Sequence, residues 1–174
     1  MTNKQQSILG SALILFSEKG YDAVSTSAIS RHAKVSEGLI FRHFKDKKGL
    51  LNKLLEMWIE KFEDHLSTID SIEKADQRIQ AVMELPFRLD EADYPYWKLV
   101  YSLKWQNNTV IDEYILTLKE VLEKSLMDLK YPDPLIEAEL IISYFNGFIT
   151  TAVLKNDNNL SSRLLETLQK KYIL

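Results

Sequence analysis

The chain has 174 residues, 45% hydrophobic and 27% charged, which is typical of a folded globular protein and excludes a disordered one. The absence of cysteine excludes disulfides, thiol catalysis and thiolate metal sites. No basic and then apolar leader opens the sequence, and its longest uncharged run, residues 140–154, is too short and too polar to span a bilayer. We therefore expect a soluble, cytoplasmic protein.

The net charge of −3 conceals an asymmetry between two parts of the chain. Residues 1–53 hold nine Lys and Arg against four Asp and Glu, which gives +5, whereas residues 54–174 hold 13 against 21, which gives −8. A basic head on an acidic body concentrates positive potential where phosphates would dock. The charge distribution therefore favours a nucleic-acid partner for the first third of the chain.

Helical periodicity dominates the sequence, and no segment alternates as a strand would. A first helix is predicted over residues 4–19, because Ile8, Ala12 and Phe16 then share one helical face. Gly20 is expected to end this helix with a left-handed backbone.

Two short helices follow, starting at Ser25 and Ser36, because a serine hydroxyl can accept one of the unpaired N–H groups of a first helical turn. A tight turn separates them. The apolar positions expected to hold the two helices together are Ile29, Ala33, Val35, Ile40 and Phe44. This is the pattern of a helix-turn-helix, whose second helix is built to enter the major groove of DNA.

A long fourth helix is predicted over residues 46–65, with one buried stripe made of Leu50, Leu51, Leu54, Leu55, Trp58 and Phe62. Turns rich in Asn, Asp and Pro then separate five further helices, near residues 72–89, 94–106, 109–130, 134–154 and 160–172. We thus predict an all-α protein of about nine helices, in which a three-helix head over residues 1–48 is joined to a helical body over residues 49–174.

The head contains a set of residues at characteristic fixed spacings, namely Ala12, Phe16, Gly20, Tyr21, Ile29, Ala33, Val35, Ser36, Gly38, Phe41, Arg42, His43, Phe44, Lys47 and Leu50. This set resembles the N-terminal domain of the TetR family of bacterial regulators. The sequence departs from that pattern where Lys34 replaces the usual turn glycine, Leu39 the usual threonine and Phe41 the usual tyrosine. The last two changes remove hydroxyls that commonly contact DNA in the family.

The candidates for reading bases are the positions of the second short helix that face away from the head's core: Glu37, Gly38, Leu39, Phe41, Arg42 and His43. Arginine can grip guanine O6 and N7, a carboxylate can accept from the cytosine amino group, and apolar side chains can contact thymine methyls. Gly38 permits a close backbone approach.

The resemblance implies a further set of contacts to the DNA backbone. By register, Thr26, His43 and Lys47 would contact phosphates, and Ser27 would contact a base or a phosphate. Lys47 and Lys48 also lie in the first turn of the fourth helix, where the helix dipole disfavours cations. A bound phosphate would relieve that mismatch.

Residues 140–154 are too apolar for a helix with one solvent-exposed face, so they form either a core helix of the monomer or a helix of a dimer interface. The Asn146-Gly147 step resembles the dimerising helix of the family, in which glycine lets two helices approach closely. The candidate interface residues are Leu140, Phe145, Gly147, Ile149, Leu164 and Leu168.

The body is rich in large aromatic side chains, of which Trp97, Tyr101 and Trp105 recur every four residues and share a helical face. The candidate pocket residues are Trp58, Phe62, Phe87, Trp97, Tyr101, Trp105, Tyr144 and Phe148. Such a set forms either a ligand pocket or plain core. The resemblance implies that a small effector binds the body, and the aromatic content favours an apolar or planar compound. No cofactor or metal is expected.

The predicted function is a ligand-responsive DNA-binding transcriptional regulator. The expected mode is repression, in which a homodimer binds a palindromic operator and the effector releases it. An enzyme is disfavoured, because the three histidines form no His-x-x-x-His pair and no glycine-rich phosphate loop is present. The alternative is a helical interaction module that has lost operator binding and acts through a protein partner, a role that Leu39 and Phe41 would suit.

Overall fold

The computed structural model describes residues 1–88, 90–104, 110–155 and 158–172 of the chain. The regular structure in these ranges is entirely helical. Its α-helices are α1 Asn3–Lys19, α2 Thr26–His32, α3 Glu37–Phe44, α4 Lys47–Asp70, α5 Ala75–Glu84, α6 Tyr94–Lys104, α7 Val110–Asp128, α8 Pro134–Ile149 and α9 Asn158–Lys171. The shorter elements are the 3-10 turns Leu85–Phe87 and Glu91–Asp93 and the π-helical turn Thr150–Lys155. The predicted all-α class with about nine helices is confirmed.

α1 forms as its periodicity predicts, and two side chains cap its start. Thr2 Oγ1 accepts a hydrogen bond from Gln5 N at 3.3 Å, and Gln5 Oε1 accepts one from Thr2 N at 2.8 Å. Gly20 ends the helix with a φ of +83°, which glycine adopts without steric cost. The predicted inward residues are all buried, namely Ile8, Ala12 and Phe16. The first helix and its glycine stop are thus confirmed.

α2 and α3 form the helix-turn-helix that the sequence predicts. Ser25 caps α2, because its hydroxyl accepts a hydrogen bond from Ala28 N at 3.1 Å. Ser36 precedes α3 with an extended backbone, but its hydroxyl makes no capping bond, so the predicted capping chemistry holds for α2 alone. Val35 and Phe44 are half-buried. The other predicted core residues are buried, namely Ile29, Ala33 and Ile40.

α4 buries the whole apolar stripe predicted for it, namely Leu50, Leu51, Leu54, Leu55, Trp58 and Phe62. The helix continues to Asp70, beyond the predicted end at residue 65. No helix in the described part of the chain is long and apolar enough to cross a lipid bilayer.

α5 and α8 are shorter than predicted, for local reasons. A helix was expected over residues 72–89, but α5 ends at Glu84 and a 3-10 turn follows. Pro86 lies in that turn, and its lack of a backbone N–H prevents a further α-helical hydrogen bond. α8 ends at Ile149, and the π-helical turn occupies the rest of the predicted helix.

The chain divides into two compact units, the first of which comprises Met1–Lys61 and Ala92–Asn108. It contains α1 to α3, the beginning of α4, and α6, which packs on α1. Trp97 of α6 meets Trp58 of α4 edge to face, with 5.5 Å between ring centroids. This unit is larger than the DNA-binding segment predicted over residues 1–48, which remains a prediction about function.

The second unit comprises Phe62–Glu91 and Thr109–Leu174. Within it, α7 packs against both α5 and α8. Arg78 ties α5 to α7, because its Nε donates to Ser125 Oγ at 2.9 Å and its Nη2 pairs with Asp128 at 3.0 Å. The core of this unit includes Ile79, Val82, Leu118, Leu122, Leu126, Ile141 and Phe145.

Candidate nucleic-acid interface

α3 buries one side in the head and leaves the opposite side open to solvent. Ile40 is fully buried, whereas the Phe41 side chain beside it is 50% exposed. Gly38 and Arg42 are also exposed, and open space surrounds the position that a Cβ would take at Gly38. The remaining candidates on this helix are half-buried, namely Glu37, Leu39 and His43. The helix therefore offers a free face that combines apolar, cationic and backbone groups.

Positive charge collects where α3 meets α4. Arg42, Lys45 and Lys48 are exposed, and none of them has an ion-pair partner in the described part of the chain. Lys45 turns the chain from one helix to the next with a φ of +69°. Asp46, the neighbouring carboxylate, is used as a cap, since its Oδ1 accepts a hydrogen bond from Gly49 N at 2.7 Å. These three cations can therefore bind an external anion.

Gly49 brings the end of α3 close to the first turn of α4. A Cβ at this position would lie 1.8 Å from the carbonyl oxygen of Phe44. Because real Cβ atoms essentially never come within 3.0 Å of another heavy atom, only glycine fits this approach. The close approach between the end of α3 and the first turn of α4 therefore requires glycine at position 49.

Lys47 is engaged within the head. Its Nζ donates to the carbonyl oxygens of Tyr21 and Asp22, at 3.1 and 3.4 Å, and lies 4.3 Å from the centroid of the Tyr21 ring. Burial raises the pKa of the Tyr21 hydroxyl, with smaller contributions from the charges of Asp46 and Asp22. Lys47 thus fastens the start of α4 to the loop between α1 and α2. The phosphate contact expected of this residue remains a prediction.

Two hydrogen bonds hold polar side chains of α3 to the rest of the head. Thr26 Oγ1 donates to Glu37 Oε1 at 2.6 Å, and Gln5 Nε2 lies 3.4 Å from His43 Nδ1. Gln5 is part of this surface although the sequence alone did not indicate it. Its position in a Thr-x-x-Gln capping pattern was visible, but the contact with His43 depends on how α1 and α3 pack.

The residues predicted for a dimer interface separate into two groups. Phe145 and Ile149 are only 1% exposed and Leu168 is also buried, so these three belong to the core of the second unit and have little exposed surface. Leu140 and Leu164 lie at the surface, as does Gly147. The exposed apolar residues that extend this surface on α8 and α9 are Ile136, Tyr144 and Leu160.

The aromatic residues predicted to line a pocket are divided between the two units. The first unit holds Trp58, Trp97 and Tyr101, and the second holds Phe62, Phe87, Tyr144 and Phe148. Trp105 lies outside the described residues. Close ring packing accounts for several of them, such as Phe87 and Phe148 at 4.9 Å between centroids. Trp58, Phe62, Trp97 and Phe148 are buried within their own units, whereas Tyr144 is 40% exposed, and the predicted ligand pocket remains a prediction.

Cavities of different character lie among the described residues of the second unit. A small one, of about 110 Å³, lies between α8 and α9 and includes Tyr144 and Phe148 in its lining. A larger cleft, of about 510 Å³, is lined by α4, α5 and α7 through Leu66, Ser67, Asp70, Arg78, Thr117, Glu120, Val121 and Lys124. None of the predicted aromatic residues that the structure describes lines the larger cleft. Within the described ranges, no group of three or more His, Asp or Glu is placed to hold a metal ion.

The head has a partly exposed α3 beside cations that lack ion-pair partners in the part of the chain that the structure describes, and this is the arrangement of helix-turn-helix units that dock on DNA. The family model of bacterial regulatory proteins of the tetR family matches residues 8–54. The TetC protein of transposon Tn10 from Escherichia coli is 35% identical over 79 residues, which are 45% of this chain and 40% of that protein. The transcriptional regulator YvkB of Bacillus subtilis is 50% identical over 54 residues, or 31% of this chain and 28% of YvkB. Residues 8–54 of the chain are therefore similar to the tetR family of bacterial regulatory proteins.

The match to these two relatives covers less than half the length of each. Solved structures extend the likeness of fold to nearly the whole chain. The TetR-family regulator PfmR of Thermus thermophilus has a TM-score of 0.75 at 16% identity, covering 99% of this chain and 97% of PfmR. The regulator FadR of Bacillus subtilis, solved with stearoyl-CoA, has a TM-score of 0.70 at 21% identity, covering 94% and 97% of the two chains. The helical body therefore has the fold of complete TetR-family regulators.

Proposed function

We propose that this protein is a transcriptional regulator that places α3 in the major groove of an operator. The observation that carries this proposal is the free face of α3 beside three exposed cations, Arg42, Lys45 and Lys48, that have no ion-pair partner among the described residues. Neutralising phosphates with such cations releases counterions and supplies most of the affinity for DNA. Arg42 lies on the recognition helix and is the side chain best suited to contact a guanine.

The proposed regulator is a two-fold homodimer, because one head reads only a few base pairs. Ile136, Leu140 and Tyr144 follow one another at four-residue intervals along α8, and each is at least 40% exposed. Leu160 and Leu164 of α9 are also exposed. Contiguous apolar surface of this kind marks an interaction site on a folded protein. A symmetric dimer through α8 and α9 would cover it and present two heads to a palindromic operator.

The proposed mode is repression in the cytoplasm, at the nucleoid while DNA is bound, with release by a small apolar or aromatic effector. FadR, whose fold this chain shares, was solved with stearoyl-CoA. The cleft of about 510 Å³ in the second unit has the volume of typical small-molecule sites. A ligand can release the operator only if it binds the DNA-free form of the dimer more tightly than the DNA-bound form.

The test is fluorescence anisotropy with a labelled duplex of mixed sequence, measured over a range of salt concentrations. The wild-type protein is expected to bind, and its affinity should fall linearly with the logarithm of salt. Lys48→Ala should lower the slope by about one unit. The matched control is Lys170→Ala on α9. This substitution removes an exposed ion pair with Glu166 and should leave the affinity for DNA unchanged.

Absence of binding at low salt would contradict the proposal and favour an interaction module that acts through a protein partner. Equal losses in Lys48→Ala and Lys170→Ala would contradict the assignment of the interface to the head.

A further inference from the structure

The hydrogen bond between Thr26 and Glu37 joins the two helices of the helix-turn-helix at their first residues. Thr26 begins α2 and Glu37 begins α3, and the distance between Thr26 Oγ1 and Glu37 Oε1 is 2.6 Å. Both side chains are half-buried. A hydroxyl that donates to a carboxylate at this distance makes a charge-assisted bond, stronger than one between neutral groups. Glu37 forms no ion pair within the described ranges, so this bond is its main fixed contact.

The direction of this bond limits what Thr26 can do for DNA. A threonine hydroxyl carries a single proton. Phosphate oxygens only accept hydrogen bonds at neutral pH, as do the oxygens of an ionised carboxylate. While the Thr26 hydroxyl donates to Glu37, it has no proton left for a phosphate. The phosphate contact expected of Thr26 by resemblance therefore competes with the bond that the structure shows.

Glu37 occupies a position from which bases are read. The N-terminal residues of a recognition helix contact base edges in the major groove. An ionised carboxylate is an acceptor, so it fits the exocyclic amino groups of cytosine N4 and adenine N6. It repels the acceptors of guanine and thymine at the corresponding positions. A carboxylate held still discriminates in this way, whereas one free to rotate away loses both the attraction and the repulsion.

We propose that Glu37 is a specificity-determining residue that accepts a hydrogen bond from the amino group of one base, cytosine before adenine, and that Thr26 is the residue that positions it. This inference rests on the proposed function, since it requires that α3 lies in the major groove. Thr26 then contributes to the preference for one base. A phosphate contact would instead contribute to the affinity for DNA of any sequence.

The experiment is a selection from random duplexes, followed by salt titrations on the selected consensus, with the full-length protein and four variants. Thr26→Val keeps the shape of the side chain and removes the hydroxyl, and Thr26→Ser keeps the hydroxyl. Glu37→Ala removes the acceptor, and Glu37→Gln replaces it with an amide. Thermal unfolding of each variant reports whether the head is folded.

The wild-type consensus should contain one position per half-site where cytosine is preferred about tenfold. Glu37→Ala should lose that preference, and Glu37→Gln should shift it towards adenine, the base that glutamine pairs best. Thr26→Val should broaden the same position with an unchanged salt slope, and Thr26→Ser should resemble the wild type. The double variant Thr26→Val with Glu37→Ala should be no broader than Glu37→Ala alone.

Two results would overturn the inference while the proposed function stands. The first is a Glu37→Ala protein that selects the wild-type consensus at every position. This result can be obtained even if the Thr26 variants do not fold. The second is a Thr26→Val protein that loses affinity equally for all sequences and has a lower salt slope, which is the behaviour of a phosphate contact. A wild-type protein that binds no duplex at all would instead overturn the proposed function.

Discussion

Lys34 holds the turn of the helix-turn-helix in a conformation that normally belongs to glycine. Its φ is +55°, and the turn closes α2 with bonds from Lys34 N to Arg31 O at 3.2 Å and from Val35 N to Ser30 O at 3.0 Å. This is the hydrogen-bond pattern that ends many helices, usually with glycine at the left-handed position. A side chain there costs roughly 1–2 kcal/mol. The departure from the family pattern noticed at Lys34 is thus a source of local strain.

We expect Lys34→Gly to raise the free energy of unfolding by about 1 kcal/mol, because the strained backbone is relieved. Urea denaturation measures this change. Lys34→Ala is the control, since it removes the same charge and keeps a Cβ in the left-handed region. A gain as large in Lys34→Ala would show that the charge, and not the backbone, is responsible.

Arg42 is the residue on the free face of α3 best able to grip a base. We expect Arg42→Ala to weaken operator binding by about 1–3 kcal/mol and to relax base preference at one position of each half-site. Arg42→Lys keeps the charge but cannot make the bidentate hydrogen bonds of a guanidinium. It should therefore recover the affinity for DNA of any sequence and not the preference for one base. Binding to a set of single-base variants of the operator measures both effects. An equal loss for every sequence would make Arg42 a phosphate contact.

At the scale of the elements, the junction of α3 and α4 determines how the recognition helix is presented. Lys45 takes a positive φ, Asp46 caps α4, and Gly49 lets the two helices meet. Lys47 then fastens α4 to the loop after α1. The exposed cations of this junction are therefore held on a rigid frame and not on a free loop.

Gly49→Ala should destabilise the protein by about 1–3 kcal/mol, since the backbone carbonyl of Phe44 must move to admit a Cβ. Gly10→Ala is the matched control, because Gly10 lies on the exposed side of α1 with nothing near its Cβ position. That substitution should stabilise by about 0.5–1 kcal/mol through helix propensity. Thermal and urea unfolding of both variants test the difference in sign. A neutral Gly49→Ala would mean that the junction is not tight.

At the scale of the whole molecule, the exposed apolar surface on α8 and α9 is the basis for the proposed dimer. We expect Leu140→Glu to shift the protein to monomers and to abolish operator binding at micromolar concentration, because a charge would be buried in the seam. Sedimentation velocity measures the first effect and anisotropy the second. Met127→Glu on α7 is the control, at a side chain that is 61% exposed outside this surface. A Leu140→Glu protein that stays dimeric would place the interface elsewhere.

The elements were predictable from the sequence because their signals are local. Ile8, Ala12 and Phe16 repeat at helical spacing, and the stripe of α4 does the same, so the structure confirms both. Contacts between elements were not predictable in this way. The bond between Thr26 and Glu37 and the contact of Lys47 with Tyr21 depend on how separate elements of the head pack against one another.

In α8, too, the packing of neighbouring helices decides which apolar residues are buried. Residues 140–154 are recognisably apolar in the sequence. Their pattern does not show which side of the helix packs against other helices of the same chain and which side is exposed. Phe145 and Ile149 turned out to be core, whereas Ile136 and Tyr144 are exposed. The aromatic residues predicted for a pocket belong to two different compact units, and their role as a pocket remains a prediction.

The most direct test of the central claim is a selection of random duplexes by the purified wild-type protein at two salt concentrations, followed by sequencing. We expect a two-fold symmetric consensus, retained more weakly at the higher salt, whose half-site spacing reports the distance between the two heads. If no DNA is retained at the lower salt concentration, the proposed function is wrong.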